Sequence, residues 1–214
     1  MYILTIEELL ARLDEDLVWR KKELTEIKFL IYGAPYGNFQ INLRMGIVMI
    51  YAHWEGYIKS AGNYYINYLT QQNLNYGDIT DNFIALALKA QIRECGTTDK
   101  TSVHCKIVNI LINGLNSQAH FPHSYDVKEK AMLSYELFSE LLLTLGIDPS
   151  IFELKQTLID FVLIDKRNKI AHGKRYPVDE KDFDTLYTEI IPILEQVKSL
   201  IFNAAEKGLY KRPN

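Results

Sequence analysis

The chain has 214 residues, 48% hydrophobic and 24% charged, enough apolar surface to bury a core without staples, and is read as one folded domain over 1–214. Those proportions exclude a disordered, fibrous or tail-like chain, and a net charge of -3 excludes a protein that coats nucleic acid over a wide surface. The pattern at Met1–Glu8 is not that of a signal peptide, no apolar run approaches the roughly 18 residues of a membrane span, and Cys95 and Cys105 read as free thiols. A cytoplasmic location with no membrane partner is expected.

Thr5-Ile6-Glu7-Glu8 forms a capping box that opens a helix to about Phe29, with Leu9, Leu10, Leu13, Leu17, Leu24 and Ile27 on one face. Gly33 to Asn38, containing Pro35, reads as a loop. A long second helix follows from about Phe39 to Leu69, with Ile47, Ile50, Trp54, Ile58, Ala61, Tyr65 and Tyr68 on one core stripe. Glu55 sits at the edge of that stripe, where a carboxylate needs a partner. Two are available, Lys59 one turn on and Arg167 far along the chain.

A third helix runs to about Arg93, capped by Asp78, Thr80 or Asp81, and another covers Ser102 to Ile112. His104 and Cys105 with Cys95 show neither C-x-x-C nor any paired His/Cys spacing, so no metal site is expected. Asn113 to Lys130, with His120 and His123, reads as a long connection, either a plain surface loop or a lip near a site. Ser134 to Leu145 is a compact helix closed by Gly146 and Pro149. The next helix runs from about Ile151 or Phe152 to His172, and its apolar stretch Leu158 to Ile164 requires cover on several sides, from bundle neighbours and a second subunit. Gly173 fits the position just past its end, and Asp179 caps a last amphipathic helix that contains Pro192. With no sustained period-two alternation and five to seven helices around a long central pair, the fold class is all-α, a helical bundle.

The chemistry concentrates at the end of the second-last helix, in Lys166-Arg167-Asn168-Lys169-Ile170-Ala171-His172-Gly173. Lys166, Arg167, Lys169, Lys174 and Arg175 fall within ten residues with no acid among them, which concentrates positive potential there and suits contact with RNA phosphates. At about 100° per residue, Arg167 and His172 stand about 140° apart around their helix. Arg167 therefore falls among Leu163, Ile164, Ile170 and Ala171, where an unpaired guanidinium is costly and Glu55 or a bound phosphate must answer it. His172 lies at a helix C-terminus, where the dipole favours the charged ring and the neighbouring cations oppose it, a balance that suits a group that gives and takes a proton. Metal-free RNA cleavage needs such a group for the ribose 2′-OH and a cation for the phosphate, with an amide such as Asn168 to orient them.

Arg167, Asn168 and His172 also match the R-x(4–6)-H signature, and Arg167 to Gly173 has the form R-N-x-I-A-H-G, with Trp54-Glu55-Gly56-Tyr57 matching an upstream W-E-x-[FY] element. Over roughly residues 40 to 205 the chain thus resembles the HEPN superfamily of ribonucleases. The resemblance implies an antiparallel bundle with additional helices, a first helix over about 5–29 and a core over about 39–205. It also implies a homodimer in which two motifs face each other to form one metal-independent, cofactor-free endoribonuclease site. Arg167, His172 and Asn168 would be catalytic, Glu55 and Trp54 supporting, and Lys166, Lys169, Lys174 and Arg175 in contact with RNA. A toxin or abortive-infection role in bacterial defence, with an antitoxin or regulatory protein as a further partner, rests on the same resemblance. Two other readings stay open: a non-catalytic HEPN-like module that binds RNA, a nucleotide or a protein at the same helix end, and a purely structural helical dimer.

Overall fold

The computed structural model describes residues 2–33, 38–122 and 132–213. Pro35 of the expected loop, and His123 to Lys130 of the expected connection, lie outside them. Among the described residues no strand forms, and the α-helices are α1 (Ile6–Tyr32), α2 (Phe39–Thr70), α3 (Asp81–Ala87), α4 (Lys89–Cys95), α5 (Thr101–Asn113), α6 (Tyr135–Thr144), α7 (Asp165–Ala171) and α8 (Glu180–Glu206). These eight exceed the expected five to seven because the third helix breaks at Leu88, whose side chain is buried.

α1 opens on the capping box: Thr5 Oγ1 accepts from the Glu8 amide at 3.2 Å and Glu8 Oε2 accepts from the Thr5 amide at 3.3 Å. Its buried residues Leu9, Leu13, Leu17, Leu24 and Ile31 face α2 and α8. The side-chain pairings fix the directions. Along α1, Asp14 meets Lys198, Lys21 meets Glu195 and Lys28 meets Asp184, so α1 and α8 are antiparallel. Leu13 accepts from the Tyr57 hydroxyl and Ile31 lies beside Gly46, so α1 and α2 are antiparallel as well. Gly46 against Phe183 and Tyr68 against Tyr210 make α2 and α8 parallel neighbours.

The expected α-helix from Ile151 to His172 is three windings in series. Pro149–Lys155 is a 3-10 helix, Leu158–Ile164 a π-helix, and α7 completes it. In the π segment the Asp165 amide bonds to the Asp160 carbonyl five residues back. The core accounts for this winding: Ile159, Leu163 and Ile164 are all buried, and an i→i+5 turn brings residues four and five apart onto one face. Its cost is that Phe161 turns outward, 68% exposed. Asp160 contributes a second function, since its Oδ1 accepts from the Tyr135 amide at the start of α6.

The first part of the 113–130 connection is docked rather than loose. Ala119 donates to the Leu74 carbonyl at 2.8 Å and Phe121 packs edge-on against Phe83. α4 and α5 pack on each other and bury no residue. Cys95 and His104 serve that hairpin, with His104 Nε2 2.8 Å from the Thr98 carbonyl.

A polar cluster is buried between α1 and α2. Asp16 pairs with Arg20 at 3.0 Å, and the Arg20 guanidinium lies 4.6 Å over Trp19. Gly56 makes room for it, because a Cβ there would stand 2.6 Å from Arg20 Nη1. His53, edge-on to Trp19, is 2% exposed; its Nε2 is 2.9 Å from Glu23 Oε2 but lacks hydrogen-bond geometry, so both ring nitrogens are buried without such a partner among the described residues. Burial holds the imidazole below its ordinary pKa, with Glu23 pulling the other way and Arg20 adding to the depression. With the folded value below the unfolded one, His53 leaves stability intact above about pH 6.5 and removes it as pH falls from there towards the folded value. The melting temperature of the wild type is therefore expected to fall from about pH 8 to about pH 5 more steeply than that of His53→Gln, whose side chain does not titrate. Parallel curves for the two proteins would remove His53 as the cause.

Candidate active site

α7 lies across the N-terminal half of α2, antiparallel to it: Arg167 meets Tyr51 and the turn after α7 meets Arg44. The helix ends in a complete Schellman closure, in which Lys174 donates to the Lys169 carbonyl and Gly173 to the Ile170 carbonyl, both at 3.0 Å. Gly173 has φ 71°, the left-handed conformation that makes glycine the fitting residue there. Arg44 Nη2 donates to the Lys174 carbonyl at 3.0 Å and ties this turn to α2.

Glu55, one of the two partners expected for Arg167, does not meet it. The Arg167 guanidinium lies over the Tyr51 ring, 4.7 Å from the centroid; Nη1 donates to Asn168 Oδ1 at 3.1 Å and approaches Met132 Sδ at 3.5 Å. Among the described residues Nε is buried with no hydrogen-bond partner, and no carboxylate pairs with the group. Glu55 instead takes the nearer of its two options, a 2.8 Å bond to Lys59 one turn on. The pairing with Arg167 is absent because the i,i+4 geometry offers Glu55 a cation at no cost in chain ordering. Glu55 still faces the same corner: burial pushes the Tyr51 phenol up to about 12, Glu55 adds to that rise, and Arg167 opposes it.

Trp54 is fully buried, edge-on to Phe138, and its Nε1 donates to the Leu133 carbonyl at 3.3 Å. One turn earlier the Tyr51 hydroxyl accepts from the Leu133 amide at 3.1 Å. Leu133 is gripped at both ends of its main chain, and that grip sets Met132 beside Arg167.

The basic cluster divides in two. Lys166 bonds to Asp182 of α8 at 2.8 Å and to the Tyr176 hydroxyl; burial pulls its ammonium down, and these two groups more than offset that and leave it above the ordinary lysine range. Lys169 bonds to Asp165 at 2.6 Å, which raises it, and lies over the Tyr176 ring. The run itself holds no acid, but acids outside it answer these two: Asp165 lies one turn before Lys169 and α8 brings Asp182 to Lys166. Lys174 and Arg175 are exposed with no described acid on them.

His172 is exposed at the C-cap, and its ring bonds to no described residue. Arg167 and His172 thus do not touch within one chain. Five residues of helix separate them by about 7.5 Å along the axis as well as about 140° around it. A groove of about 360 Å³, lined by Ile41, Arg44, Met45, Val48, Met49 and Ile170, flanks the same stretch of α7.

The family model described as HEPN_MAE_28990-like HEPN matches residues 9–210. The chain belongs to this HEPN family. The match takes in α1, which the motif resemblance over 40 to 205 left out, in keeping with the packing of α1 on both α2 and α8. No curated protein and no solved structure gives a significant match. HEPN domains are all-α and commonly ribonucleases. In this HEPN chain the residues around the motif that sequence reasoning missed are Tyr51, Met132, Arg44 and Tyr176. Tyr51 alone had a local signal, standing three residues before Trp54 and so on the same face of α2.

Proposed function

We propose that this HEPN chain is a metal-independent endoribonuclease that works as a homodimer. The observation that carries the reading is the state of Arg167: a guanidinium held by an aromatic face and a neutral amide, with Nη2 making no described bond, at a helix end that also presents an exposed histidine. A structural arginine is normally matched by a carboxylate, which consumes its charge. Here the charge is positioned and left for an anion.

The chemistry follows from these groups. His172 takes the proton of a ribose 2′-OH, the oxygen attacks the adjacent phosphorus, and Arg167 stabilises the charge that gathers on the phosphoryl oxygens. The 5′-oxygen leaves with the proton that His172 has taken up, and the products are a 2′,3′-cyclic phosphate and a 5′-hydroxyl. Asn168 orients the guanidinium, and Lys174 and Arg175 reach flanking phosphates. Because Arg167 and His172 are apart within one chain, a second copy supplies the complementary pair. The apolar groove beside α7, with Ile41 and Met45 58% and 60% exposed, is the surface such a copy would cover. A role as a toxin or abortive-infection effector, held in check by an antitoxin or regulatory protein, accompanies this reading on the strength of the family.

Two measurements test it. Purified protein with total RNA in excess EDTA is expected to yield fragments ending in cyclic phosphate. No cleavage, with RNA binding retained in wild type and His172→Ala alike, would favour the non-catalytic binding module. Light scattering is expected to give a dimer that Met45→Glu converts to a monomer with loss of cleavage; a monomer that cuts RNA at assay concentration would overturn the composite site.

A further inference from the structure

We infer that Tyr51 is the positioning residue for Arg167, and that it acts in two ways, through its ring and through its hydroxyl. The inference rests on the nuclease reading for its activity assay but not for its structural one.

An arginine that binds a phosphate must be held still without being neutralised. A carboxylate holds it and spends its charge, whereas an aromatic face attracts the cation through the ring quadrupole and adds no formal negative charge. The fold provides the second arrangement. Tyr51 is 2% exposed, its ring lies 4.7 Å below the Arg167 guanidinium, and Glu55, the acid that flanks this corner, is occupied by Lys59. Arg167 Nε is buried with no hydrogen-bond partner among the described residues, and the ring face, Asn168 and Met132 are what hold the group.

The hydroxyl does the rest. By accepting from the Leu133 amide it stops the ring from swinging, and with Trp54 on the Leu133 carbonyl it fixes the main chain that carries Met132 to 3.5 Å from Nη1. Tyr51 thus supplies the floor under the guanidinium and, through Leu133, its wall. It touches no reacting atom.

Two substitutions separate these roles. Tyr51→Phe and Tyr51→Leu both lose the hydroxyl and both leave the Leu133 amide unpaired, so any difference between them reports the ring. In the wild type the Arg167 Nε–H proton is expected to resonate upfield of the other arginines through the ring current of Tyr51; the shift should persist in Tyr51→Phe and vanish in Tyr51→Leu. Cleavage by Tyr51→Leu is expected to fall about tenfold in kcat/KM, with Tyr51→Phe closer to wild type. RNA affinity is measured in the His172→Ala background, where nothing is cut. There Tyr51→Leu should weaken binding, and it should add nothing once Arg167→Ala is also present.

The inference is overturned if the wild-type shift is absent, if Tyr51→Phe and Tyr51→Leu lose cleavage equally, or if Tyr51→Leu weakens binding as much without Arg167 as with it. A Tyr51→Leu protein that does not fold leaves the wild-type and Tyr51→Phe shifts to decide the matter. Absence of cleavage in the wild type would remove the nuclease reading alone, since the proton shift and the binding series do not depend on catalysis.

Discussion

Replacing His172 with alanine is expected to reduce RNA cleavage by about 10² to 10⁴-fold, the contribution typical of a positioned general acid or base. The melting temperature should not move, because the ring is exposed and bonds to no described residue. The helix end does not depend on it either: the Schellman closure is made by main-chain groups of Lys169, Ile170, Gly173 and Lys174. A loss of cleavage with an unchanged melting curve therefore assigns the proton transfer to His172. Cleavage at the wild-type rate in EDTA by His172→Ala would remove the residue from the mechanism.

Arg167→Ala is expected to abolish cleavage and, unlike most substitutions beside a core, to leave stability unchanged or improved. The reason is in its surroundings. The guanidinium is partly buried with Nε unsatisfied among the described residues, a desolvation cost of about 1–3 kcal/mol that its removal relieves. Against that stand the stacking on Tyr51, about 0.5–2 kcal/mol, and one bond to Asn168. Glu55 is not stranded by the change, since Lys59 keeps it paired. Arg167→Lys should not restore activity, because an ammonium cannot lie flat on the ring and present a free edge at the same time. Asn168→Ala should fall between, as it frees Nη1 without removing the charge. An Arg167→Ala protein that melts several degrees lower and still cuts RNA would identify the arginine as structural.

Stability improved by removing a functional group is the signature of a site built at the expense of the fold. The π segment before α7 belongs to the same pattern. It keeps Ile159, Leu163 and Ile164 in the core and leaves Phe161 in solvent.

What the amino-acid sequence determined by itself is what depends on residues a few positions apart. The capping box at Thr5, the cap at Asp179, the left-handed Gly173 and the all-α class were legible because each arises within one or two turns of chain. The motif and the Trp54-Glu55 element were legible for the same reason, and the family match agrees with them. The Lys59 partner of Glu55, one of two the sequence left open, and the Asp165 partner of Lys169, which was not foreseen, each lie one turn away. What only the tertiary structure decided is which distant groups meet. Tyr51 under Arg167, Asp182 on Lys166 and Arg44 on the Lys174 carbonyl join α2, α7 and α8 across stretches of chain with no periodicity in common. The winding of the motif helix belongs here too, because an i→i+5 turn is chosen by the core it must fill rather than by the preference of any residue in it.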